Sequence, residues 1–250
     1  ASDVYKRQGS GKTVVGLIML QSCLNEEKGP AIYVVPDNYL VKQVIDEAKR
    51  LGISATEDKD DYSYSNSKAI LVTSIQTIVN GYSYFGMREG VNYPIGSIII
   101  DDVHACMDKI ISQFMIKIDA ESDAYKELIA IFSSSLKDYN PKNYIDIVEM
   151  KDCRKKMLVP YWEWQRQQDN IYRILTKYDN SKNSAIYFGL PLIERSLETS
   201  DCIITASAIE ISPKGIDLDK ISSLEEASRR IYMSAIGLRR IMYTQMNVYQ

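Results

Sequence analysis

The sequence is poor in the residues that build metal clusters and disulfide frameworks. It has one histidine, His104, and its four cysteines are scattered, without a Cys-x-x-Cys pair. Zinc and iron–sulfur centres need several such ligands at short spacing, and a disulfide framework needs cysteines that pair. Both kinds of centre are therefore disfavoured, and this use of cysteine fits the reducing environment of a cytoplasmic protein.

The chain also lacks a long apolar run and an excess of positive charge. No stretch approaches the roughly 18 to 20 apolar residues of a membrane span, so we expect no membrane partner. The net charge is −3, which means that any contact with nucleic acid has to be local. The length of 250 residues suffices for one α/β domain with a large core, or for one domain that carries an insertion.

The segment Gly9-Ser10-Gly11-Lys12-Thr13 precedes an apolar run and is typical of a phosphate-binding loop at the start of a helix. Glycines let backbone N–H groups approach phosphate oxygens, and the positive end of the helix dipole favours the same charge. Lys12 would reach the outer phosphates, and the Thr13 hydroxyl would hold Mg²⁺. We expect the helix to run from Lys12 to Glu27. The full pattern requires a small residue where Lys6 stands.

Residues 1–8 contain no apolar run, although a buried strand normally precedes a phosphate-binding loop. There is also no initiator methionine and no apolar segment of a signal peptide. One interpretation is a non-native leader joined just before Gly9. The other is a short strand through Val4 and Tyr5 with polar neighbours. We favour the leader.

Strand and helix patterns alternate downstream, as in an α/β fold. Apolar runs predict strands at Ala31–Val35, Ala69–Thr73 and Ile95–Ile100. The last of these delivers Asp101 and Asp102 at its carboxyl end, where open parallel sheets bind ligands. Asp101 would hold Mg²⁺, and Asp102 would orient or deprotonate the attacking water. A simple turn or helix cap is the plainer explanation of the two carboxylates, but the phosphate-binding segment makes it the weaker one.

These segments together resemble the first RecA-like domain of the superfamily 2 helicases of the DEAD/DEAH-box kind. The matching segments are Gly9–Thr13 for motif I, Val34-Val35-Pro36 through Gln43 for motif Ia, Val72-Thr73-Ser74, Asp101-Asp102-Val103-His104 for motif II, and Arg230–Ala235 leading into motif III.

The resemblance implies a P-loop NTPase fold in which helices sandwich a parallel RecA-like sheet. It implies ATP and Mg²⁺ as cofactors, His104 at the nucleotide, and contacts of Pro36–Gln43 and Thr73-Ser74 with DNA or RNA. It also implies a second RecA-like domain as a partner, so we expect the chain to be the ATP-binding half of a helicase or translocase. Further possibilities are another P-loop NTPase, such as a kinase, and a nucleotide-binding module with reduced hydrolysis.

Two departures from that family bear on catalysis. Asp102 stands where the family has glutamate as the catalytic base, and its carboxylate is one methylene closer to the backbone. A misplacement of about 1 Å can cost about a hundredfold in rate, so we expect weakened or re-tuned hydrolysis. Ile236 replaces the motif III threonine, a hydroxyl that in the family couples ATP turnover to strand movement. The fragment alone is expected to be inactive.

The stretch between motifs II and III is much longer than a compact first domain needs. Its patterns predict helices at Met107–Ile118, Ser122–Leu136 and Tyr161–Tyr178. We therefore expect a helical insertion at 105–185, with the RecA-like domain formed by 9–104 and 186–250. Within the latter, Cys202–Ile211 and Arg230–Ala235 are predicted to be strands of the core sheet.

Within the predicted insertion, Trp162 and Trp164 lie beside basic residues. They could form a stacking platform for single-stranded bases. Alternatively they anchor the insertion on its core, since tryptophan buries well and needs one hydrogen-bond partner. We favour the anchoring role for the pair.

Overall fold

The structure, a computed structural model, describes residues 3–87, 92–179 and 184–234, and of residues 3–10 it describes the backbone alone. The chain divides into two compact units, one of residues 1–111 with 217–250 and one of residues 112–216. Each unit contains its own sheet. None of the helices in the described ranges has the length and apolar character needed to cross a bilayer.

The secondary structure alternates through most of the chain. The strands are β1 (Ala31–Val35), β2 (Ala55–Thr56), β3 (Ile70–Ser74), β4 (Ser97–Ile100), β5 (Ile116–Asp119), β6 (Lys156–Leu158), β7 (Asp201–Thr205), β8 (Ala208–Ser212) and β9 (Arg229–Tyr232). The helices are α1 (Asp3–Asn25), α2 (Asn38–Arg50), α3 (Tyr62–Ser65), α4 (Ile75–Ile78), α5 (Val103–Gln113), α6 (Asp123–Tyr139), α7 (Pro141–Tyr144), α8 (Tyr161–Arg166), α9 (Gln168–Tyr178), α10 (Ala185–Ile193) and α11 (Ser222–Glu226). A π-helical turn spans Ile145–Glu149, and a 3-10 helix spans Glu194–Thr199.

The first unit is built on a parallel sheet with the strand order β2-β3-β1-β4-β9. Every residue of β1, β3 and β4 is buried, which is typical of a parallel sheet flanked by helices. Leu17 and Leu20 of α1 and Val44 of α2 pack with Tyr33 and Val35 of β1 in one apolar core. The predicted α/β class with a helix-flanked parallel sheet is confirmed.

The last strand of this sheet lies close to its predicted position. The sequence predicts a strand at Arg230–Ala235, and β9 pairs with β4 in parallel from Arg229 to Tyr232. The pairing continues one residue beyond β9, where the Met233 N–H donates to the Ile100 carbonyl at 2.9 Å. Ala235 and Ile236, the remainder of the predicted motif III, lie outside the described residues.

The first helix begins earlier than the sequence predicts. Instead of starting at Lys12, α1 starts at Asp3 and passes through Gly9–Thr13 without a break. In a continuous α-helix only the first four N–H groups lack a partner within the helix, and here these belong to residues 3–6. The prediction of a loop at Gly9–Thr13 is therefore wrong for this structure, as is a strand through Val4 and Tyr5. Lysine, arginine and glutamine in residues 6–8 favour the helical continuation.

Close packing of α1 on the sheet depends on Gly16. A Cβ atom at this position would lie 2.8 Å from Cε2 of Tyr33 and 3.0 Å from the methyl carbon of Met233. Both distances are shorter than ordinary carbon contacts, so a side chain here would push α1 away from β1. Glycine thus permits the approach that brings Thr13, three residues earlier, near the middle of the sheet.

The second unit, residues 112–216, contains an antiparallel sheet with the order β5-β8-β7-β6. The strand predicted over Cys202–Ile211 is wrong as a single core strand, because the chain reverses between β7 and β8. The Thr205 hydroxyl accepts a hydrogen bond from the Ala208 N–H at 3.0 Å and donates to the Ala208 carbonyl at 2.9 Å. A short side chain that bonds to the backbone in this way stabilises the turn.

Two predicted helices of this region are also interrupted. The predicted helix Met107–Ile118 ends at Gln113, and β5 follows with alternating buried and exposed residues, the period of a half-buried strand. The predicted helix Tyr161–Tyr178 is divided at Gln167 into α8 and α9. The second unit, 112–216, therefore differs from the predicted insertion at 105–185 in its bounds, and it carries a sheet besides its helices.

Candidate nucleotide-binding site

The carboxyl ends of the parallel strands bring several of the predicted site residues to one edge of the first unit. The Asp101 N–H donates to the Val34 carbonyl of β1 at 2.9 Å, and the Val103 N–H donates to the Met233 carbonyl at 3.1 Å. These bonds hold the backbone around Asp101 and Val103 between the two neighbouring strands. The ladder thereby fixes the position from which the Asp101 carboxylate projects.

Thr13 and Asp101, the two predicted Mg²⁺ ligands, both bond to the hydroxyl of Tyr33. Oη of Tyr33 donates to Oδ2 of Asp101 at 2.9 Å. The Thr13 side chain is hydrogen-bonded to the same hydroxyl. Because that hydroxyl has one proton and gives it to Asp101, Thr13 is the donor in the second bond. The structure therefore brings these two residues, far apart in sequence, to one point.

Tyr33 is a member of the site that sequence reasoning missed. It lies in the middle of the apolar run Ala31–Val35 and is fully buried, so its sequence position predicts only a residue of the core. Burial raises the pKa of Tyr33 far above its usual value of 10.0, and the nearby Asp101 carboxylate raises it further. The phenol therefore stays neutral and remains a donor to Asp101. The one sign of this role in the sequence is a hydroxyl group in a strand whose other side chains are all apolar.

Asp102 occupies an unusual backbone conformation. Its φ angle is 48°, in the left-handed region that aspartate tolerates better than most residues with a side chain. The Asp102 N–H donates to Oδ1 of Asp101 at 3.0 Å, and the Asp102 carbonyl accepts from the Cys106 N–H at 3.0 Å at the start of α5. The side chain is exposed, so its carboxylate is accessible to water.

His104 is hydrogen-bonded across the sheet edge. Its Nδ1 lies 2.9 Å from Oγ of Ser234, which follows β9. The sequence predicts His104 as a nucleotide contact, and in this structure its partner is the serine of the predicted motif III. The bond joins the segment after β4 to the segment after β9.

The predicted nucleic-acid segments meet at a groove of about 250 Å³ on the same unit. Asn38 and Val41 of α2 line it together with Thr73 and Thr77. Ser74 is buried and its hydroxyl lies 3.2 Å from that of Thr77. Asp37 precedes α2 without capping it by its side chain, and its carboxylate instead pairs with Lys109 at 2.8 Å.

The residues of this site fit the Mg²⁺ of an ATP·Mg²⁺ complex better than they fit its phosphates. A threonine hydroxyl and a carboxylate that meet at one point are the hard oxygen ligands that Mg²⁺ takes in small number. No cluster of three or more histidine, cysteine or acidic residues suited to a metal occurs among the described side chains. The helical backbone of Gly9–Thr13 does not fit a phosphate, since its N–H groups point along the helix to carbonyls within it. Lys12 is half-buried on the same helix, and the side chain of Ser10 is outside the described part.

Comparison with known proteins identifies the family. Residues 5–139, more than half of the chain, match the family described as "Type III restriction enzyme, res subunit". The chain belongs to this family. As a res-subunit family member it carries a nucleotide-binding domain of the ATP-dependent helicase type.

Solved structures resemble this chain at low sequence identity. "Structure of S. tokodaii Xpd4" is similar at 16% identity and a TM-score of 0.45, covering 90% of this chain and 50% of that one. "Truncated XPD" is similar at 13% identity and a TM-score of 0.42, covering 88% of this chain and 85% of that one. The chain thus spans half the length of the first of these structures. A search of curated proteins finds no relative.

Proposed function

We propose that the chain is the ATP-binding half of an ATP-dependent DNA or RNA helicase or translocase of superfamily 2. It would couple ATP hydrolysis to the remodelling of a nucleic acid, together with a second RecA-like domain that closes on the nucleotide. Membership of the res-subunit family supports this function. The single observation that carries the proposal is the convergence of Thr13 and Asp101 on the hydroxyl of Tyr33.

Each residue of the site has its own part in the proposed function. Thr13 and Asp101 would hold Mg²⁺, and Lys12 would bind the outer phosphates of ATP. When bound, the metal would neutralise charge on the phosphate oxygens. Tyr33 orients the Asp101 carboxylate by donating to one of its oxygens, and the Asp102 N–H holds the other. The exposed Asp102 carboxylate would accept the proton of the attacking water.

Phosphate binding by backbone groups requires a change at the start of α1. The N–H groups of Gly9–Thr13 become available only if the helix begins near Lys12 instead of at Asp3. We therefore propose that nucleotide binding is accompanied by loss of about the first two and a half turns of α1. The positive end of the shortened helix would then lie at the phosphates.

The groove between α2 and β3 is the proposed contact with the nucleic-acid strand. Asn38 and Thr73 line it and belong to the segments Pro36–Gln43 and Thr73-Ser74. Lys59, which also lines the groove, lies 2.6 Å from Asp60 and 4.4 Å from the ring centre of Tyr84. Amide and hydroxyl groups at such a groove suit contacts with the sugar–phosphate backbone, which carry no sequence preference.

ATP binding and nucleic-acid-stimulated ATP turnover test the proposed function. We expect binding of a fluorescent ATP analogue to depend on Mg²⁺ and to weaken at least about tenfold in Lys12→Ala and Asp101→Ala. Lys126→Ala, which removes an exposed lysine paired with Asp123, is the matched control and should bind like the wild type. Turnover is measured with the second RecA-like domain present. No stimulation by any DNA or RNA would refute the helicase assignment.

A nucleotide-binding module with reduced hydrolysis is the second candidate function. It is favoured by aspartate in place of glutamate at position 102, held at a φ angle of 48°. Turnover of Asp102→Glu decides between the two. Increased turnover in this variant supports a hydrolytic site that the shorter side chain slows, and zero turnover in both proteins supports a binding role.

A further inference from the structure

The second unit carries a group of aromatic side chains that its core does not cover. Trp162 and Tyr161, at the start of α8, are both 61% exposed, and Tyr139, at the end of α6, is 58% exposed. The rings of Tyr139 and Trp162 meet edge to face, with centroids 5.6 Å apart. The two rings are therefore not stacked face to face, and the edge of one ring covers at most one face of the other. Large aromatic rings left exposed as a group mark a binding surface more often than a single exposed ring does.

The two tryptophans of α8 have different roles. The anchoring role predicted for the pair applies to one of them, and the other remains available for stacking. Trp164 is buried, lies against the ring of Phe132 with centroids 6.1 Å apart, and donates its indole N–H to the Leu197 carbonyl at 2.9 Å. It anchors α8 on the core of the second unit. Trp162, two residues earlier, is left to solvent. Packing in the core of the second unit therefore does not explain why a tryptophan stands at position 162.

One lysine lies beside these rings, and a second is exposed on the strand that precedes α8 in the chain. The ammonium group of Lys214 lies 5.8 Å from the ring centre of Tyr161. Lys156 and Leu158 are exposed on β6, the strand that leads through Pro160 into α8. Among the described residues, neither Lys156 nor Lys214 takes part in a salt bridge, so their charges are not neutralised by a fixed partner.

We propose that Trp162, Tyr161 and Tyr139 form a stacking platform for single-stranded nucleic acid, with Lys156 and Lys214 binding its phosphates. Every base has a flat face that stacks on an aromatic ring, and the phosphates complement the two lysines. Only an unpaired strand offers such faces. The platform extends the proposed function to a second surface, distinct from the groove at Asn38 and Thr73.

Binding of a labelled oligothymidylate of about 20 nucleotides, and of the matching oligouridylate, tests the platform. Fluorescence anisotropy is measured on the whole chain without ATP. We expect Trp162→Ala to weaken binding about tenfold and Trp162→Phe, which keeps an aromatic face, to weaken it less than about threefold. Lys156→Ala and Lys214→Ala should each lower the slope of log K against log salt concentration by about 0.7.

Matched controls separate the platform from general effects. Tyr62→Ala removes an aromatic side chain that is 77% exposed on the first unit, and Lys126→Ala removes a lysine paired with Asp123. Both variants should bind the oligonucleotides like the wild type. Trp162 fluorescence offers a second readout, since stacked bases should quench the exposed indole in the protein that carries Trp164→Phe.

Three results would overturn the platform. The first is no binding of either oligonucleotide, and the second is an equal effect of Trp162→Ala and Tyr62→Ala. The third is sedimentation showing that the chain self-associates through Trp162, since the surface would then be an interface between copies. The binding measurement uses no ATP, so the proposed ATPase function can fail while the platform stands, and the platform can fail while ATP turnover persists.

Discussion

Replacing Tyr33 with phenylalanine removes a single hydroxyl from the point where Thr13 and Asp101 meet. The ring fills the same volume, so the apolar core formed with Leu17 and Val35 is retained. What is lost is the hydrogen bond of 2.9 Å to Oδ2 of Asp101 and the bond from Thr13. The substitution therefore tests only the hydrogen bonds by which Tyr33 of β1 joins α1 to the end of β4.

The expected loss follows from the type of acceptor. A hydrogen bond to a charged group contributes about 1.5–3 kcal/mol to stability, against about 0.5–1.5 kcal/mol for a neutral pair. Asp101 and Thr13 are only partly buried, so water can replace part of what each loses. We therefore expect Tyr33→Phe to lower the free energy of unfolding by about 2 kcal/mol.

Urea unfolding at neutral pH measures this loss, with Tyr64→Phe as the matched control. Tyr64 is equally buried in the same unit, but its hydroxyl donates to the Pro94 carbonyl at 3.2 Å, a neutral acceptor. Its loss should be about 1 kcal/mol. A double-mutant cycle of Tyr33→Phe with Asp101→Ala should give a coupling energy of about 1–2 kcal/mol. Equal stability of Tyr33→Phe and the wild type, or an additive cycle, would refute the role given to this hydroxyl.

Three other predictions concern pH, backbone conformation and the tryptophans. Because the pKa of Tyr33 is raised in the folded state, the folded protein holds this proton more tightly, and stability is lost as pH rises above the usual value of 10.0. Tyr33→Phe should reduce the slope of that loss by about 1.4 kcal/mol per pH unit, as measured by urea unfolding at several alkaline pH values. Since the φ angle of Asp102 is 48°, Asp102→Ala should be less stable than Asp102→Gly by about 1 kcal/mol, and the opposite order would contradict a left-handed backbone there. Trp164→Ala should cost about 3–5 kcal/mol in unfolding experiments, whereas the exposed Trp162→Ala should change stability by less than about 0.5 kcal/mol.

The parallel sheet and the position of Asp101 at the end of a strand were predictable because their sequence patterns are local. The apolar run at 31–35 and the run that ends at Ile100 can be read directly as buried strands, and Asp101 follows the second. The hairpin at Ala206-Ser207 was not predictable, since it contains no glycine, proline, asparagine or aspartate and its hydrogen bonds come from Thr205. The alternation in Ile116-Lys117-Ile118-Asp119 has the period of a strand, but four residues are too few to separate it from the end of the helical pattern before it.

The candidate site likewise contains residues that the sequence predicts and residues that only the tertiary structure reveals. Lys12, Thr13, Asp101 and Asp102 could be proposed from residue type and order alone. The role of Tyr33 required the tertiary structure, because a tyrosine in an apolar strand is equally consistent with simple burial. The bond between His104 and Ser234 also joins residues whose proximity depends on the pairing of β4 with β9.

The pairing of β4 with β9 has a consequence for synthesis of the protein. Ser97 pairs with Arg229, so the whole second unit is translated between these neighbouring strands. Until residues 229–232 leave the ribosome, one side of β4 has no strand to bond with, and an open strand edge invites pairing with other chains. A nascent chain stalled before this point would therefore be prone to aggregate, and a chaperone that covers the open edge would protect it.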